Sequence, residues 1–316
     1  MTTQDRLRRR LRVLDTYTVR SIRRREEALI RALALSYGLA ARDLDMLAVG
    51  AFNQFGAPAT WSITDYQASQ RTAWLLDQIV SRTDQLNGYV TGVTQTELLR
   101  SYQDGYYLRG WTLSQVLPRG LALTLPILPE QAILAALSFP YEGSTFFERM
   151  GDAREDFIRK LRKTITVSQI EGDGIYNVQK RLSSELGWPI SRRTKVLAKA
   201  NKGNFARTEM IARTEMLRAS NLGAQAVDET NRDIVKAWEW LTARDDRVCP
   251  ICAPLDGRTW PLGQGERPPR HPRCRCTSIP VRKTDAELGL PEIESAFPPR
   301  EMYKVWARRT GHPVPE

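Results

Sequence analysis

All four cysteines of the chain lie within 28 residues, and this clustering constrains the fold more than any other feature of the sequence. They occur as Cys249-Pro-Ile-Cys252 and as His271-Pro-Arg-Cys274-Arg-Cys276. Cysteines that only fill a core would be scattered along the chain. Two thiols separated by two residues instead form a turn that can grip one metal ion, and a second pair must then come from elsewhere in the sequence.

The cluster therefore predicts a structural zinc ion in a tetrahedral site. The five candidate ligands for its four positions are Cys249, Cys252, His271, Cys274 and Cys276. The spacing does not determine which of the five is left out. Cysteines that stay reduced or form a disulfide are the alternative interpretation, and thiol redox chemistry is a weaker one.

The residues around the cluster have the alternation of short β-strands. Residues 234–241 alternate well enough for one strand, and segments at 258–260 and 276–282 can add two more. The loops between them are long and rich in Gly and Pro. Such a unit has little hydrophobic core of its own and needs an additional cross-link, or staple, such as a metal ion. We therefore expect a small, zinc-stapled β-rich unit over residues 233–282.

The preceding two-thirds of the chain has helical periodicity. Leu7, Leu11 and Leu14 begin a pattern that predicts one amphipathic helix over residues 5–35. Residues 39–139 stay mainly helical, with a turn predicted at Asn87-Gly88. A linker is expected at 142–151. Further helices are expected near 157–165, 172–186 and 205–230.

Together these patterns predict an α+β protein. Its mainly α-helical N-terminal two-thirds is followed by the zinc-stapled β-rich unit and by an extended, Pro-containing C-terminal tail. The expected domains are a helical docking domain with a basic N-terminal arm (1–150), a second helical part (151–232), the β unit (233–282) and the tail (283–316).

The formal net charge of +11 is unevenly distributed. Residues 1–25 carry a net +7, residues 26–159 a net −5 and residues 160–316 a net +9. Solvated helix faces are one interpretation, and contact with phosphate or with an acidic protein is the other. The candidate residues for such a partner are Arg8, Arg9, Arg12, Arg23, Arg24, Arg192, Arg193, Lys195, Lys199, Arg273 and Arg275.

Several classes of protein are disfavoured. The basic N-terminus lacks the apolar stretch of a secretory signal, and the most apolar segment, residues 121–139, is interrupted by Pro126, Pro129 and Glu130. We therefore expect cytoplasmic synthesis, reduced thiols and no membrane contact. No Gly-rich phosphate loop and no Ser/His/Asp set is visible. The chain is thus predicted not to be an enzyme and to have no small-molecule substrate.

The order of several motifs resembles the phage Mu F-like head-morphogenesis family of tailed bacteriophages. The motifs are Ala212-Arg-Thr-Glu215, Asp245-Asp-Arg-Val-Cys249-Pro-Ile-Cys252, Leu255-Asp-Gly257 and His271-Pro-Arg-Cys274-Arg-Cys276. The resemblance covers residues 205–282 and, more weakly, the segment from residue 155. Residues 1–150 resemble no family, so their role is inferred from position and charge.

The resemblance implies a minor head (capsid) protein, made in the host cytoplasm and located in the capsid interior of the virion. Its implied partners are the portal protein and the major capsid protein. Contact with packaged double-stranded DNA, without sequence preference, is expected from the basic charge. The alternative function is that of a cellular zinc-containing nucleic-acid-binding protein, which would share the charge and the Cys/His cluster.

Overall fold

A computed structural model describes residues 3–55, 66–118, 120–189, 203–290 and 301–314. These residues are mostly helical, with a small antiparallel sheet, as predicted. The helices are α1 (Thr3–Phe55), α2 (Tyr66–Ser114), α3 (Glu130–Leu137), α4 (Phe146–Ile170), α5 (Ile175–Leu186), α6 (Asn204–Thr230) and α7 (Tyr303–Thr310). The strands are β1 (Val235–Leu241), β2 (Thr259–Pro261) and β3 (Thr277–Arg282). Among the described helices, none combines the length and the hydropathy of a membrane span.

Helix α1 is 53 residues long and continues well beyond the predicted end at residue 35. The continuation has a packing reason, because Tyr37, Ala41, Leu44 and Ala48 are all buried at helical spacing. No Gly-Pro dipeptide, which would end a helix, occurs in the sequence before residue 55.

The turn predicted at Asn87-Gly88 is wrong, because both residues lie inside α2. The buried side chains of Leu86 and Val90 on either side keep the helical spacing. A glycine inside a helix costs only about 1 kcal/mol relative to alanine, which this burial outweighs.

The linker predicted at 142–151 is also shorter than expected, because α4 begins at Phe146. Thr145 and Glu148 form a reciprocal cap at its start. The Thr145 N–H donates to the Glu148 carboxylate at 2.7 Å, and the Glu148 N–H donates to Thr145 Oγ1 at 3.2 Å. This capping box was readable in the sequence as Thr-x-x-Glu.

The chain divides into two compact units, each built from separate segments. Unit 1 consists of residues 1–27, 96–139 and 213–316, and unit 2 of residues 28–95 and 140–212. The segment 1–150 therefore contributes to both units, and the predicted domain limits stay a prediction.

Unit 2 is helical and packs aliphatic and aromatic side chains. Leu33, Leu161 and Leu186 are completely buried in it. A buried polar contact in this unit centres on the Tyr37 hydroxyl, which accepts a hydrogen bond from Asn204 Nδ2 at 2.8 Å and lies 2.8 Å from Thr208 Oγ1. These two neighbours satisfy the hydrogen-bonding capacity of the buried hydroxyl and so fix the orientation of the Tyr37 side chain.

Unit 1 contains the sheet, whose strand order is β2-β1-β3 with both pairs antiparallel. The central strand β1 pairs Trp238 with Trp260 of β2 on one side and with Pro280 of β3 on the other. Because β2 has only three residues, the sheet is too small to be stable alone.

Two glycines let α2 and α6 approach closely in unit 1. A methyl group built on Gly105 would overlap the backbone carbonyl of Ser220, and one built on Gly223 would overlap that of Tyr102. The contact is reciprocal, since each helix supplies one glycine and one carbonyl. The close approach brings α6 within reach of side chains that α2 presents, and Ser101 Oγ donates to the Met216 carbonyl at 2.9 Å.

The predicted extended tail is wrong for its last described part, since residues 303–310 form α7. Tyr303 and Trp306 are buried in the unit 1 core. Trp111 of α2 contacts the Tyr303 ring edge-on at 5.8 Å and donates from its indole nitrogen to the Glu301 carbonyl at 2.9 Å. Aromatic packing of this kind offsets the entropy of ordering a terminal segment.

Candidate metal centre

The first half of the Cys/His cluster is a tight turn that follows β1. The Ala253 N–H donates to the Cys249 carbonyl at 2.9 Å, and the Cys252 N–H donates to the same carbonyl at 3.1 Å. The Cys252 N–H also lies 3.4 Å from Cys249 Sγ. Backbone N–H groups aimed at a sulfur stabilise its thiolate form, which is the form that binds metal.

The second half is the turn that leads into β3. The Cys274 N–H donates to the His271 carbonyl at 3.1 Å. Arg273 sits in the left-handed backbone region with a φ of 58°, and its N–H donates to Thr214 Oγ1 of α6 at 3.0 Å. Helix α6 therefore holds the turn that carries His271 and Cys274.

The folded chain brings all five predicted ligands together in two overlapping triads. Cys249, Cys252 and His271 form one, and Cys252, Cys274 and Cys276 form the other. Within each triad the ligand atoms lie within 4.8 Å of one another. Cys252 belongs to both, so it is the central ligand of any single-ion site.

The individual distances resemble the edges of a metal tetrahedron. His271 Nε2 lies 3.1 Å from Cys249 Sγ and 3.3 Å from Cys252 Sγ, and Cys252 Sγ lies 3.9 Å from Cys274 Sγ. Zinc–sulfur bonds of about 2.3 Å and zinc–nitrogen bonds of about 2.0 Å require edges of roughly 3.5–3.8 Å. Small movements of the His271 ring would bring the observed edges to these lengths.

The His271 ring is oriented as a metal ligand would be. Its Nδ1 lies 2.8 Å from the Pro272 carbonyl, so Nδ1 carries a proton and donates it. This leaves Nε2, which faces the two thiols, as the position for a metal. Ligating histidines are held in the same way, by a second hydrogen bond to a carbonyl or carboxylate.

The thiols are not chemically equivalent. Burial raises the pKa of Cys249, but hydrogen bonds from backbone N–H groups and the nearby His271 lower it more, so the pKa lies below its usual value. A hydrogen bond from Cys276, opposed by burial, lowers the pKa of Cys274 to about 5. Burial and the neighbouring Cys274 raise the pKa of Cys252 to about 12. The hydrogen bond to Cys274, together with burial, raises the pKa of Cys276.

Three of the cysteines are buried in the aromatic core of the sheet. Cys252, Cys274 and Cys276 pack with Trp238, Trp240 and other apolar side chains. The Trp238 and Trp260 rings stack with centroids 4.6 Å apart. The cluster can hold a metal ion, and such an ion would join the β1 end of the sheet to the β3 end inside this core.

Two of the arginines predicted to contact phosphate or an acidic partner form ion pairs inside unit 1 instead. Arg8 and Arg12 of α1 both donate to the carboxylate of Glu239 on β1, which is only 2% exposed. Arg8 also donates to the Gly257 carbonyl at 3.0 Å. Their charges compensate a buried carboxylate and hold the start of α1 on the sheet.

The other predicted basic residues fall into three groups: some are exposed, some are paired with a carboxylate, and some lie outside the described residues. Arg9 and Arg24 are exposed on α1, Arg23 pairs with Glu27, Arg275 pairs with Asp245, and the Arg273 side chain is exposed. Arg192, Arg193, Lys195 and Lys199 lie outside the described residues. Among the described members of the predicted set, Arg9 and Arg24 are therefore the two that are exposed and form no ion pair with another described residue.

Sequence reasoning missed a buried ionic network beside the metal cluster. Asp228 of α6 is fully buried between Arg267, at 2.8 Å, and Arg109 of α2, at 3.6 Å. The Arg267 guanidinium also lies over the Trp238 ring at 5.1 Å. No local motif marks these residues, because they come from three distant parts of the sequence.

A second buried carboxylate connects α1 with β3. Asp15 accepts a hydrogen bond from Thr277 Oγ1 at 2.7 Å. Burial raises the pKa of Asp15 to about 6, against the hydrogen bond of Thr277 and the charge of Arg109. The Ala-Arg-Thr-Glu motif at residues 212–215 also has a structural role, because Thr214 supports the turn that carries His271 and Cys274.

Comparison with known proteins identifies one part of the chain. Residues 151–279 match the family model described as Phage Mu protein F like protein. Searches of curated proteins and of solved structures give no match. The matched region includes both turns of the Cys/His cluster, and it begins earlier than the predicted limit of strong resemblance at residue 205. The match agrees with the resemblance predicted from the motif order, and it shows that residues 151–279 form a phage Mu F-like region.

Proposed function

We propose that this protein is a minor head protein of a tailed bacteriophage, located in the capsid interior, where it associates with the portal protein and the major capsid protein. The observation that carries the proposal is the family match over residues 151–279. The cluster geometry adds to it, because the motifs of the matched region converge on one compact site rather than on separate loops.

Within this function the Cys/His cluster binds structural zinc through Cys249, Cys252, His271 and Cys274. The first three form one triad, and Cys274 supports the set with a sulfur 3.9 Å from Cys252 Sγ. Cys276 serves as the hydrogen-bonding neighbour of Cys274. When bound, zinc cross-links the two turns, and its binding free energy becomes folding free energy of the small sheet.

The same protein contacts packaged DNA through an exposed ridge on α1. Arg6, Arg9, Arg20 and Arg24 are exposed on one side of the helix. Within the described parts of the chain no carboxylate pairs with any of the four. Unpaired arginines on a helix face bind phosphates without reading bases.

We propose a structural rather than an enzymatic role. Two carboxylates close to the cluster in sequence already have hydrogen-bond partners: Asp245 accepts from Arg275, and Asp256 accepts from Arg244 and Thr242. The Arg275 hydrogen bond lowers the pKa of Asp245. A general base works best with a pKa near the operating pH, so these carboxylates are poor candidates for one.

The location is tested by quantitative mass spectrometry of purified particles from the phage that encodes the chain. The proposal expects the protein in DNA-filled heads and in empty heads, at a constant ratio to the portal protein. If the protein is absent from particles and is recovered with host nucleic acid instead, the alternative of a cellular nucleic-acid-binding protein replaces it.

The DNA contact is tested by the salt dependence of binding to random-sequence duplex DNA. Each phosphate contact adds about 0.9 to the slope of log affinity against log salt concentration. Replacing Arg6, Arg9, Arg20 and Arg24 with Gln should therefore reduce the slope by about 3–4 units. Arg23→Gln is the matched control, because Glu27 already neutralises that charge. An unchanged slope in the quadruple variant would refute the ridge as the DNA contact.

A further inference from the structure

The second half of α1 has an apolar stripe on its solvent side as well as on its buried side. Leu35, Leu39, Met46 and Val49 are 63%, 51%, 64% and 38% exposed. Single exposed apolar residues are common and need no explanation. These four, however, lie on the same side of one helix and belong to one compact unit.

Their spacing is that of a coiled-coil seam. The steps from Leu35 to Leu39, Arg42, Met46 and Val49 are four, three, four and three residues. This alternation is the heptad pattern that places side chains against a partner helix. The seam covers about 21 Å of helix at 1.5 Å per residue. Packing within unit 2 does not explain this exposed stripe, because α1 packs into the core of the unit through other side chains, Leu33, Tyr37 and Leu44.

The charge of the stripe selects the partner. Arg42 occupies the central seam position, and Arg31 lies one turn before Leu35 on the same exposed side. Neither is paired with a carboxylate in the part of the chain that the structure describes. A second copy packed in register, parallel or antiparallel about this centre, would place Arg42 against Arg42, which is unfavourable. A partner helix with a carboxylate opposite Arg42 would instead gain an ion pair in the seam.

We propose that residues 31–49 of α1 form a docking seam for an amphipathic helix of another head protein. That helix has an apolar stripe with a heptad repeat and carboxylates that face Arg42 and Arg31. The identity of the partner as a head protein rests on the proposed function, whereas the seam itself rests on the exposed stripe and its unpaired arginines. The seam would give this chain a protein contact separate from its arginine ridge.

The test is site-specific photocrosslinking in infected cells during head assembly. A photoreactive phenylalanine replaces Leu39 or Met46 in separate full-length variants, and Lys180, an exposed polar position of unit 2, serves as the control position. Both seam positions should give an adduct with one different protein, mapped to a helix with acidic residues in register. Lys180 should not give that adduct. The thermal melting temperature of each purified variant verifies that the exposed substitution leaves the fold intact.

A charge reversal then tests the predicted pairing. Arg42→Glu should reduce the adduct yield at position 39 at least tenfold, and changing the mapped carboxylate to Lys should restore it. Adducts only with a second copy or with another segment of the same chain would overturn the proposal, as would the absence of any adduct in well-folded variants. Particle composition measured from the same cells tests the head assignment separately: a specific adduct with a non-head protein would keep the seam and reject the head partner.

Discussion

Unit 1 buries many charged side chains, whereas unit 2 buries almost none. Of the buried charged residues in the described chain, eight belong to unit 1 and only Asp173 to unit 2. The eight are Asp15, Asp104, Arg109, Glu215, Arg218, Asp228, Glu239 and Arg282. Unit 1 also contains the Cys/His cluster and the sheet, while the described elements of unit 2 are all helices.

This difference shows two ways of stabilising a compact unit. Apolar burial contributes about 25 cal/mol per Å² and has little directional requirement. Buried charges are costly unless every partner is in place, so a network of them is destabilised strongly by the loss of one member. The sheet of unit 1 is too short to supply a large core. It therefore depends on contacts with strict geometry, which are the buried ion pairs, the two glycines and, as proposed, a metal ion.

The largest effect is expected from removing the central metal ligand. Cys252→Ser should abolish zinc binding and expose the amides of β1 and β3 to hydrogen exchange, while α4 and α5 of unit 2 keep their protection. Structural zinc contributes about 10–16 kcal/mol in small zinc-binding peptides, which is comparable to the whole stability of a domain. Hydrogen-exchange mass spectrometry measures both units in one experiment.

Cys276→Ser is the matched control, since the proposed ligand set excludes it, and this variant should keep its zinc. If Cys276→Ser loses the metal and Cys274→Ser retains it, Cys276 rather than Cys274 is the fourth ligand. If unit 2 loses protection together with the sheet in Cys252→Ser, the comparison between the two units fails.

The next largest effect concerns the buried ionic network. Asp228→Asn leaves Arg267 and Arg109 without their carboxylate and should lower the free energy of unfolding by about 3–5 kcal/mol. Urea denaturation followed by tryptophan fluorescence measures the loss. Glu229→Gln, at the next position, breaks the surface pair with Arg232 and removes a weaker electrostatic attraction to Arg267. This variant should cost less than about 1 kcal/mol. Equal losses in the two variants would contradict a special role for buried charge in unit 1.

A truncation in the core of unit 2 tests whether that unit can be destabilised without affecting the Cys/His cluster of unit 1. Leu161 is completely buried, and Leu161→Ala should cost about 2–5 kcal/mol through lost burial and a cavity. The zinc content should remain that of the unchanged protein. Lys163→Ala, on the exposed side of the same helix, is the control. Loss of zinc from a folded Leu161→Ala protein would mean that the metal cluster depends on unit 2.

The smallest effects come from two glycines of the same helix. Gly105→Ala should destabilise the protein by about 1–3 kcal/mol, because the added methyl group meets the Ser220 backbone. Gly88→Ala, in the unit 2 part of α2, meets nothing within 4 Å and should stabilise by about 0.5–1 kcal/mol through helix propensity. Thermal melts of the two variants should shift in opposite directions. A shift of the same sign would remove the close α2–α6 approach from the account.

The parts of this structure that could be predicted from sequence are those encoded locally. The Cys/His spacing predicted the cluster, and the apolar periodicity predicted the helices. The start of α4 was missed although its capping box, Thr145 to Glu148, is a local signal. Residues 87–88 misled the prediction because a turn-forming dipeptide was read without the buried neighbours that keep it helical.

The remaining features depend on contacts between distant segments. Nothing near Arg8 or Arg12 in the sequence indicates that Glu239, more than 200 residues away, would take their charges. The same holds for Asp228, whose partners come from α2 and from the loop before β3. Helix α7 forms where Trp111 and Tyr303 meet, and composition alone predicted an extended tail. Sequence patterns assigned residue types to the site, but tertiary contacts decided which arginines remain available to a partner.

We propose that one zinc ion cross-links the sheet of unit 1. The most direct measurement is elemental analysis of protein purified without a His tag and without added metal. We expect about one equivalent of zinc per chain. A strong chelator should remove this zinc, and β1 and β3 should then lose their protection from hydrogen exchange. Less than about a tenth of an equivalent of any transition metal, in a protein whose sheet is nevertheless protected, would contradict it.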